Sequence, residues 1–318
     1  GRETLPMAPF FALHLPSFNF ADAGEGEIFD RIVTQACAAE EAGFDLVTVM
    51  DHFYQIGSVG TEEDPMLEAY TLLGALAART SRVKLGAMFT GVTYRNPATL
   101  VKQVTTLDVI SHGRALLGIG AAWNESEHVG YGYEFPPIGE RMNRLEEALE
   151  IARLMFTEER PSFEGRHYRI DRALNRPRPL QQGGPPILVG GSGERRTLRL
   201  AARYANYTNW MGGSLDDLRH KNEVLERHCE AVGRDSSTIT RTVLAPVVLV
   251  EREQDAAAVD EKIPPRFRGS LRGATPAQAA ELLQPYIAEG FTGFFLRNAQ
   301  YATPDAIQLA GELIKLVR

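Results

Sequence analysis

The sequence predicts a single (β/α)8 TIM barrel spanning residues 1–318, and three observations lead to this α/β fold class. Short apolar, β-branched runs alternate along the chain with longer segments of helical periodicity. Eight such pairs can be counted, and this alternation is typical of a parallel sheet. The first strand lacks the glycine fingerprint of open dinucleotide-binding sheets, which favours a closed barrel.

Each predicted strand is a short apolar run bounded by Gly, Pro or polar residues. The eight strands are expected at 10–15, 45–50, 83–89, 115–119, 187–189, 207–210, 242–250 and 291–296. The helices are expected at 27–42, 67–79, 98–111, 140–156, about 194–204, about 215–232, 276–289 and 304–317. Gly43 and Gly233 fit helix C-termini, and Pro97 fits a helix N-terminus.

Two segments interrupt this alternation. Residues near 158–184 contain several prolines and a Gly-Gly pair, and FEGRHYRI at 163–170 is typical of a small hairpin. We interpret this segment as an insertion in the barrel and not as a domain boundary. Residues near 252–273 are charged and contain Gly and Pro, so we expect a mobile loop there.

Composition and charge exclude several classes of function. The net charge of −7 disfavours nucleic acid as a partner, because phosphate binding requires a basic surface. No run of 18 apolar residues is present, so we expect no membrane span. The first nine residues lack the apolar region of a signal peptide, and Cys37 and Cys229 stand alone as expected for free thiols. We therefore expect a cytoplasmic protein.

The working residues of such barrels lie at the C-terminal ends of the strands and in the loops that follow. This rule converts sequence position into a short set of candidate stretches. They are 14–18, 51–56, 88–95, 120–128, 190–193, 210–213 and the ends of the last two strands.

Asp51 and His52 directly follow the second strand. Two ionisable side chains there are costly to bury unless they face a site or each other. His52 is a candidate for proton exchange with a substrate or for stabilising charge on a reduced cofactor. The alternative is a structural Asp/His pair that fixes a loop.

The ends of the third and fourth strands carry further candidates. Met88, Phe89 and Thr90 lie among small residues that let a flat ring approach the backbone, although ordinary barrel packing uses similar residues. After the fourth strand, Trp123 offers a stacking surface beside Ala121. Hydrogen-bonding and acid/base groups follow at Asn124, Glu125, Glu127 and His128. Their spacing does not match a metal motif, so we expect no metal.

A glycine-rich turn joins the fifth strand to its helix. Gly190, Gly191, Ser192 and Gly193 expose free N–H groups at a helix N-terminus, which suits a phosphate. The alternative is an ordinary tight turn. A flat-ring site and a phosphate cradle together indicate a flavin-like mononucleotide.

Four segments together resemble the bacterial luciferase-like superfamily. They are AAEEAGFDLVTVMDHF, the stretch from KLGAMFTGVTYRNPATLVKQ to WNESEHVGYGYEFPP, ERMNRLEEALEI and PPILVGGSGERRTLRLAARYANYTNW. Within the superfamily, the DHF and RNPATLVKQ segments resemble enzymes that use the deazaflavin coenzyme F420, whereas other members use reduced FMN with oxygen.

The resemblance implies roles for several residues. Asp51 and His52 match the pair beside the deazaflavin ring, with His52 catalytic or charge-stabilising. Met88–Phe89 falls where the family has a non-prolyl cis peptide that supports the ring, and residues 190–193 match its phosphate loop. One departure matters: Trp123 stands where the deazaflavin-dependent sugar-phosphate dehydrogenases have an acidic Glu. Glu127 or His128 is then a candidate for a different proton route.

These observations predict an oxidoreductase that transfers hydride between coenzyme F420 and a small organic substrate. The first alternative is an FMN-dependent monooxygenase, for which the segment 252–273 would serve as a lid. An alternative of another class is a non-catalytic barrel that binds a flavin or deazaflavin. The resemblance also implies a homodimer.

Overall fold

A computed structural model of the chain describes residues 8–297 and 299–318. The strands are β1 (Phe10–Leu15), β2 (Leu46–Val49), β3 (Lys84–Ala87), β4 (Thr90–Gly91), β5 (Leu117–Gly120), β6 (Phe163–Glu164), β7 (Arg169–Ile170), β8 (Ile187–Gly190), β9 (Tyr207–Trp210), β10 (Thr240–Leu244), β11 (Val247–Leu249), β12 (Arg272–Ala274) and β13 (Phe291–Leu296). The α-helices are α1 (Ile28–Ala42), α2 (Ala69–Arg79), α3 (Pro97–Ile110), α4 (Glu125–Tyr131), α5 (Ile138–Thr157), α6 (Thr197–Tyr204), α7 (Leu215–Val232), α8 (Ala256–Lys262), α9 (Pro276–Ala288) and α10 (Pro304–Val317).

Nine strands form one parallel sheet in the order β3-β2-β1-β13-β10-β9-β8-β5-β4. The two ends of this order meet, because β3 continues in the chain into β4 and a parallel bridge joins Leu85 to Ala115 just before β5. The Leu85 N–H donates to the Arg114 carbonyl at 2.8 Å, and the Leu116 N–H donates to the Leu85 carbonyl at 2.9 Å. Since β3 and β4 share one position, the sheet closes around eight positions, and the predicted barrel is confirmed.

Alternating side chains of the strands build two buried layers. Ala12, Leu46, Leu116, Leu188 and Phe295 pack together inside the barrel. Their neighbours point outward and pack with the helices in a larger core that includes Phe11, Val47, Leu117, Val189 and Phe294. This two-sided burial explains why the strands read as nearly continuous apolar runs.

The backbones of β3 and β5 approach so closely that glycine is required. A Cβ atom at Gly118 would lie 2.0 Å from the Ala87 carbonyl oxygen, and one at Gly86 would lie 2.7 Å from that of Leu116. The strands β3 and β5 therefore approach each other closely through their backbones at the seam that closes the barrel.

The predicted helix ends are confirmed where a specific residue sets them. The helices α1 and α7 end at Gly43 and Gly233, whose φ angles are 95° and 69°. Pro97 is the first residue of α3, after an Asn96 side chain that accepts from the Ala98 N–H. The predicted hairpin is also present, as the antiparallel pair β6 and β7.

Two predicted segments differ from the structure. The strand expected at 242–250 is interrupted at Pro246, which has no N–H for a ladder: β10 stays in the barrel, and β11 pairs outside it with β12. The segment 252–273, expected as a loop, contains α8 and leads into β12. No helix in the described residues has the length and hydropathy to cross a membrane.

Candidate active site

A cavity of about 580 Å³ opens at the C-terminal ends of the barrel strands. Nine of the residues expected in the site line it: Asp51, His52, Met88, Phe89, Thr90, Ala121, Trp123, Gly190 and Gly191. Five do not: Asn124, Glu127, His128, Ser192 and Gly193. The rule that working residues lie at the C-terminal ends of the strands therefore predicted the position of the cavity. The structure adds which of these residues line the cavity and which lie behind its wall.

His52 is held in the wall by a carboxylate behind it. The His52 Nδ1 atom lies 2.6 Å from Glu127 Oε1, and the Glu127 side chain is fully buried. Glu127 Oε2 accepts the backbone N–H groups of Phe53 and Tyr54 at 2.8 and 3.1 Å, and the Tyr94 hydroxyl donates to Oε1.

This set of donors fixes the protonation of Glu127 and the orientation of His52. Burial opposes ionisation of Glu127, but the hydrogen bonds from His52 and Tyr94 hold its pKa below the usual value. An ionised carboxylate only accepts, so the His52 Nδ1 atom carries the shared proton. The Nε2 atom is then the ring nitrogen available to the cavity. Glu127, expected as an acid/base group at the substrate, instead acts on His52.

Asp51 makes a separate set of contacts. Its two carboxylate oxygens accept from Arg95 at 2.7 and 2.8 Å, and one also accepts from the Gly91 N–H at 2.9 Å. The pKa of Arg95 is raised, because the Asp51 carboxylate outweighs the effect of burial. Asp51 and His52 therefore do not form the pair considered as the structural alternative. Asp51 instead fixes the segment that follows β3.

That segment is an irregular turn between β3 and β4. The Met88–Phe89 peptide bond is cis, as the resemblance implied. The Thr90 hydroxyl lies 2.6 Å from the Tyr70 hydroxyl, and both residues are buried. A Cβ atom at Gly190 would lie 2.7 Å from the Phe89 ring, so the fifth barrel strand leaves room for that ring. The segment presents a fixed surface of backbone and side chain to the cavity.

The segment after β5 divides between the cavity and the interior. Trp123 is 60 % exposed, and its ring meets His52 edge-on at 5.6 Å. Asn124 precedes α4, and its carbonyl oxygen lies 2.6 Å from His128 Nδ1. His128 is fully buried, with its Nε2 atom 2.6 Å from the Thr93 hydroxyl. Both His128 ring nitrogens are thus engaged away from the cavity.

The glycine-rich turn after β8 also has two parts. Gly190 and Gly191 line the cavity, and Gly191 has a φ of 102°, which favours glycine. Behind them, Lys221 of α7 donates to the Ser192 carbonyl at 3.0 Å and to Glu194 at 2.9 Å. The expected phosphate cradle stays a prediction, and Lys221, in an ion pair with Glu194, supports its backbone from behind.

Several residues of the site were not singled out from the sequence. Tyr94 and Arg95 fall within the candidate stretch 88–95, and His14 within 14–18, but nothing in the sequence distinguished them from their neighbours. His14 is buried, and its Nδ1 atom lies 2.8 Å from the Thr48 hydroxyl. Burial foremost, and the charge of Arg297, lower the pKa of His14 to about 3. His14 is therefore neutral near pH 7.

The described residues contain no group of three or more His, Cys, Asp or Glu side chains arranged to hold a metal ion. Cys37 and Cys229 are both free, and burial raises the pKa of each thiol.

Comparison with known proteins places the chain in a family and agrees with the fold. Residues 10–314 match the family model described as luciferase-like monooxygenase. The chain is 35% identical over 322 residues to an F420-dependent glucose-6-phosphate dehydrogenase of Kineococcus radiotolerans, covering 91% of this chain and 93% of the relative.

Solved structures share the fold at lower identity. An F420-dependent secondary alcohol dehydrogenase, in complex with an F420-acetone adduct, superposes with a TM-score of 0.79 at 20% identity over 98% of this chain and 100% of that one. A type II Baeyer-Villiger monooxygenase component from Pseudomonas putida, in complex with FMN, gives 0.75 at 20% identity over 98% of both chains. The fold alone is thus shared by proteins with either cofactor. Because the family model covers nearly the whole sequence, the chain belongs to the luciferase-like monooxygenase family.

Proposed function

We propose that this protein is an oxidoreductase that uses coenzyme F420 to exchange a hydride with a small organic substrate. The observation that carries the proposal is His52, held by the ionised Glu127 in the wall of the strand-end cavity. The F420-dependent relative, aligned over nearly the full length of both chains, supports the choice of F420 over FMN.

The residues present fit a deazaflavin. The cavity of about 580 Å³ lies within the range of small-molecule sites, roughly 300–1,000 Å³. Four glycines in its wall, at 91, 120, 190 and 191, keep the backbone accessible to a flat ring. Met88, Phe89 and Thr90 would support the ring, with Ala121 and Trp123 across the cavity. The turn 190–193 would hold the phosphate, with Lys221 bonded to the backbone of the turn from behind.

The bound cofactor would supply hydride transfer, and the protein supplies orientation, electrostatics and a proton. His52 can hold or release a proton at Nε2, where a substrate heteroatom gains or loses it. Glu127 keeps the ring in place and the shared proton on Nδ1. Asp51 and Arg95 fix the turn that faces the cofactor.

Neither Glu127 nor His128 lines the cavity, so a proton route from the cavity to Glu127 passes through His52 or Tyr94, which both line the cavity and bond Glu127. The proposal does not include glucose 6-phosphate as the substrate, although a relative is named for it. The departure at Trp123 supports this, since an indole cannot donate an acidic proton in place of a carboxyl group.

The test is fluorescence titration of the protein with F420 and with FMN, combined with His52→Ala. We expect F420 to bind both wild type and variant, and turnover in the variant to fall by at least about 100-fold, as for loss of a general acid/base. His112→Asn is the matched control: His112 is exposed, and Asn tolerates its φ of 56°. Binding of FMN without F420, or full turnover in the His52 variant, would contradict the proposal.

We also propose a single domain and a homodimer in the cytoplasm. Pairing of β1 with β13 supports a single domain, because it joins the first and last strands of the described chain. Light scattering of the purified protein tests the dimer: a mass near twice 35.1 kDa is expected.

A further inference from the structure

A second chamber adjoins the cofactor cavity. Its volume is about 390 Å³, and five residues line both spaces: His14, Ser58, Met211, Phe267 and Arg297. The two spaces therefore share a wall at the ends of strands β1, β9 and β13. A substrate that reacts beside His52 can extend past these side chains.

The walls that belong to the second chamber alone are largely apolar. They include Leu15, Pro16, Val59, Leu244, Pro264 and Leu271. Among the described residues that line it there is no carboxylate and no lysine. The charged side chain among them is Arg297, on the shared wall.

The polar side chains of these walls are mostly engaged or buried. The Ser17 hydroxyl oxygen accepts from the Asn19 N–H at 3.3 Å, and Gln35 donates to the Tyr301 carbonyl at 2.9 Å. Gln35 Oε1 and the Tyr301 hydroxyl have no hydrogen-bond partner among the described residues, but both atoms are buried and are not exposed on the chamber surface. A hydroxyl-rich ligand would find few hydrogen-bond partners here, and each unsatisfied group would cost affinity.

We propose that this chamber binds the hydrophobic body of an uncharged substrate, whose reacting group lies at the shared wall near His52. The inference rests on the proposed function and adds the class of substrate. The alternative occupant is the remainder of the cofactor, which is anionic and so poorly suited to the apolar walls that belong to this chamber alone. A sugar phosphate is disfavoured as well, because its hydroxyl groups would find few hydrogen-bond partners on those walls.

Equilibrium binding to the protein saturated with oxidised F420 tests this without turnover. Acetone and 2-octanone share a carbonyl group and differ in hydrophobic body, and glucose 6-phosphate supplies the hydroxyl-rich case. Changes in the fluorescence of bound F420 report binding. We expect 2-octanone to bind at least about tenfold more tightly than acetone, since each buried methylene adds affinity, and more tightly than glucose 6-phosphate.

Leu271→Trp would fill the chamber without touching the cofactor cavity, which Leu271 does not line. We expect at least about tenfold weaker binding of 2-octanone and F420 affinity within about twofold of wild type. Leu174→Trp is the matched control, because Leu174 is 49 % exposed and lies outside the chamber. Val59→Phe fills the chamber from another wall residue. If the Trp variant does not fold, the same weakening of 2-octanone binding is expected for Val59→Phe.

The outcomes separate the two proposals. Failure of wild type to bind F420 contradicts the proposed function. Binding of F420 with equal affinities for acetone and 2-octanone overturns the chamber proposal alone. It is equally overturned if both chamber-filling variants bind 2-octanone as wild type does.

Discussion

Glu127 shows how much of the role of a single residue can be predicted from its position in the sequence. Its position after a strand indicated acid/base chemistry, and Glu127 does belong to the charged centre of the site. Its partner His52 is 75 residues away in the chain, and Glu127 also accepts a hydrogen bond from Tyr94 in a third segment. Sequence position locates such a residue near the strand ends, but only packing decides which side chain reaches the cavity.

Glu127→Gln tests its role as a positioning residue for His52. The amide keeps the size of the side chain but removes the charge of the group that accepts from His52, and a hydrogen bond to a charged group contributes about 1.5–3 kcal/mol. We therefore expect kcat to fall by about 10- to 100-fold, with F420 affinity nearly unchanged. Steady-state kinetics over a range of pH measures this, and the pH profile should also shift.

Glu125→Gln is the control for this change. Glu125 lies on the same helix α4, two residues away, and is exposed. The substitution is chemically identical, so it should leave kcat within about twofold, as is usual for exposed sites. If Glu127→Gln behaves like Glu125→Gln, in both rate and pH profile, the positioning role is wrong.

At the scale of elements, the sequence predicted what local chemistry determines. Helix ends at Gly43 and Gly233 were predictable because a left-handed residue there favours glycine. The division of residues 242–250 into β10 and β11 was not, since the apolar pattern continues through Pro246. The same holds for α8, because a short charged helix carries little hydrophobic periodicity.

The seam between β3 and β5 gives a prediction about an element. Gly118→Ala would place a methyl group 2.0 Å from the Ala87 carbonyl oxygen, and because that oxygen belongs to the backbone it has little room to move. We expect the free energy of unfolding to fall by at least about 2 kcal/mol, the usual range for overpacking a core. Urea denaturation measures the change.

Gly139→Ala provides the comparison for this prediction. Gly139 lies in α5, where an added Cβ atom meets nothing within 4 Å. Alanine has the higher helix propensity, so this variant should be as stable as wild type or slightly more stable. Equal stability of the two variants would show that the seam is not as tight as the structure indicates.

At the scale of the whole molecule, the barrel was predictable because eight repeats of one pattern agree with each other. Errors in single boundaries, such as those of β10 and α6, do not change that count. The pairing of the charged side chains at the site was less predictable, because it depends on which loops meet at the open end of the barrel. Asp51 pairs with Arg95 and His52 with Glu127, and no local pattern predicts either partner.

The buried charges also predict how stability depends on pH. The folded protein holds the pKa of His14 at about 3, against 6.5 in the unfolded chain. Between these values the unfolded state binds the extra proton, so the free energy of unfolding falls as the pH falls. Glu127 acts in the same direction, but only below about 4.5, where its carboxylate becomes protonated in the unfolded chain. Between pH 6.5 and 5, the effect of His14 on the free energy of unfolding can therefore be measured apart from that of Glu127.

His14→Asn tests this assignment by urea denaturation at pH 6.5, 6, 5.5 and 5. Wild type should lose roughly 1 to 2 kcal/mol across this range through His14. The free energy of unfolding of the variant should fall correspondingly less over this range, because its amide does not titrate. This comparison of slopes does not depend on the stability of the variant at pH 6.5. His220→Asn removes a half-exposed histidine on α7 and should keep the wild-type slope. A wild-type slope in the His14 variant would mean that His14 gains its proton in the folded protein as readily as in the unfolded chain.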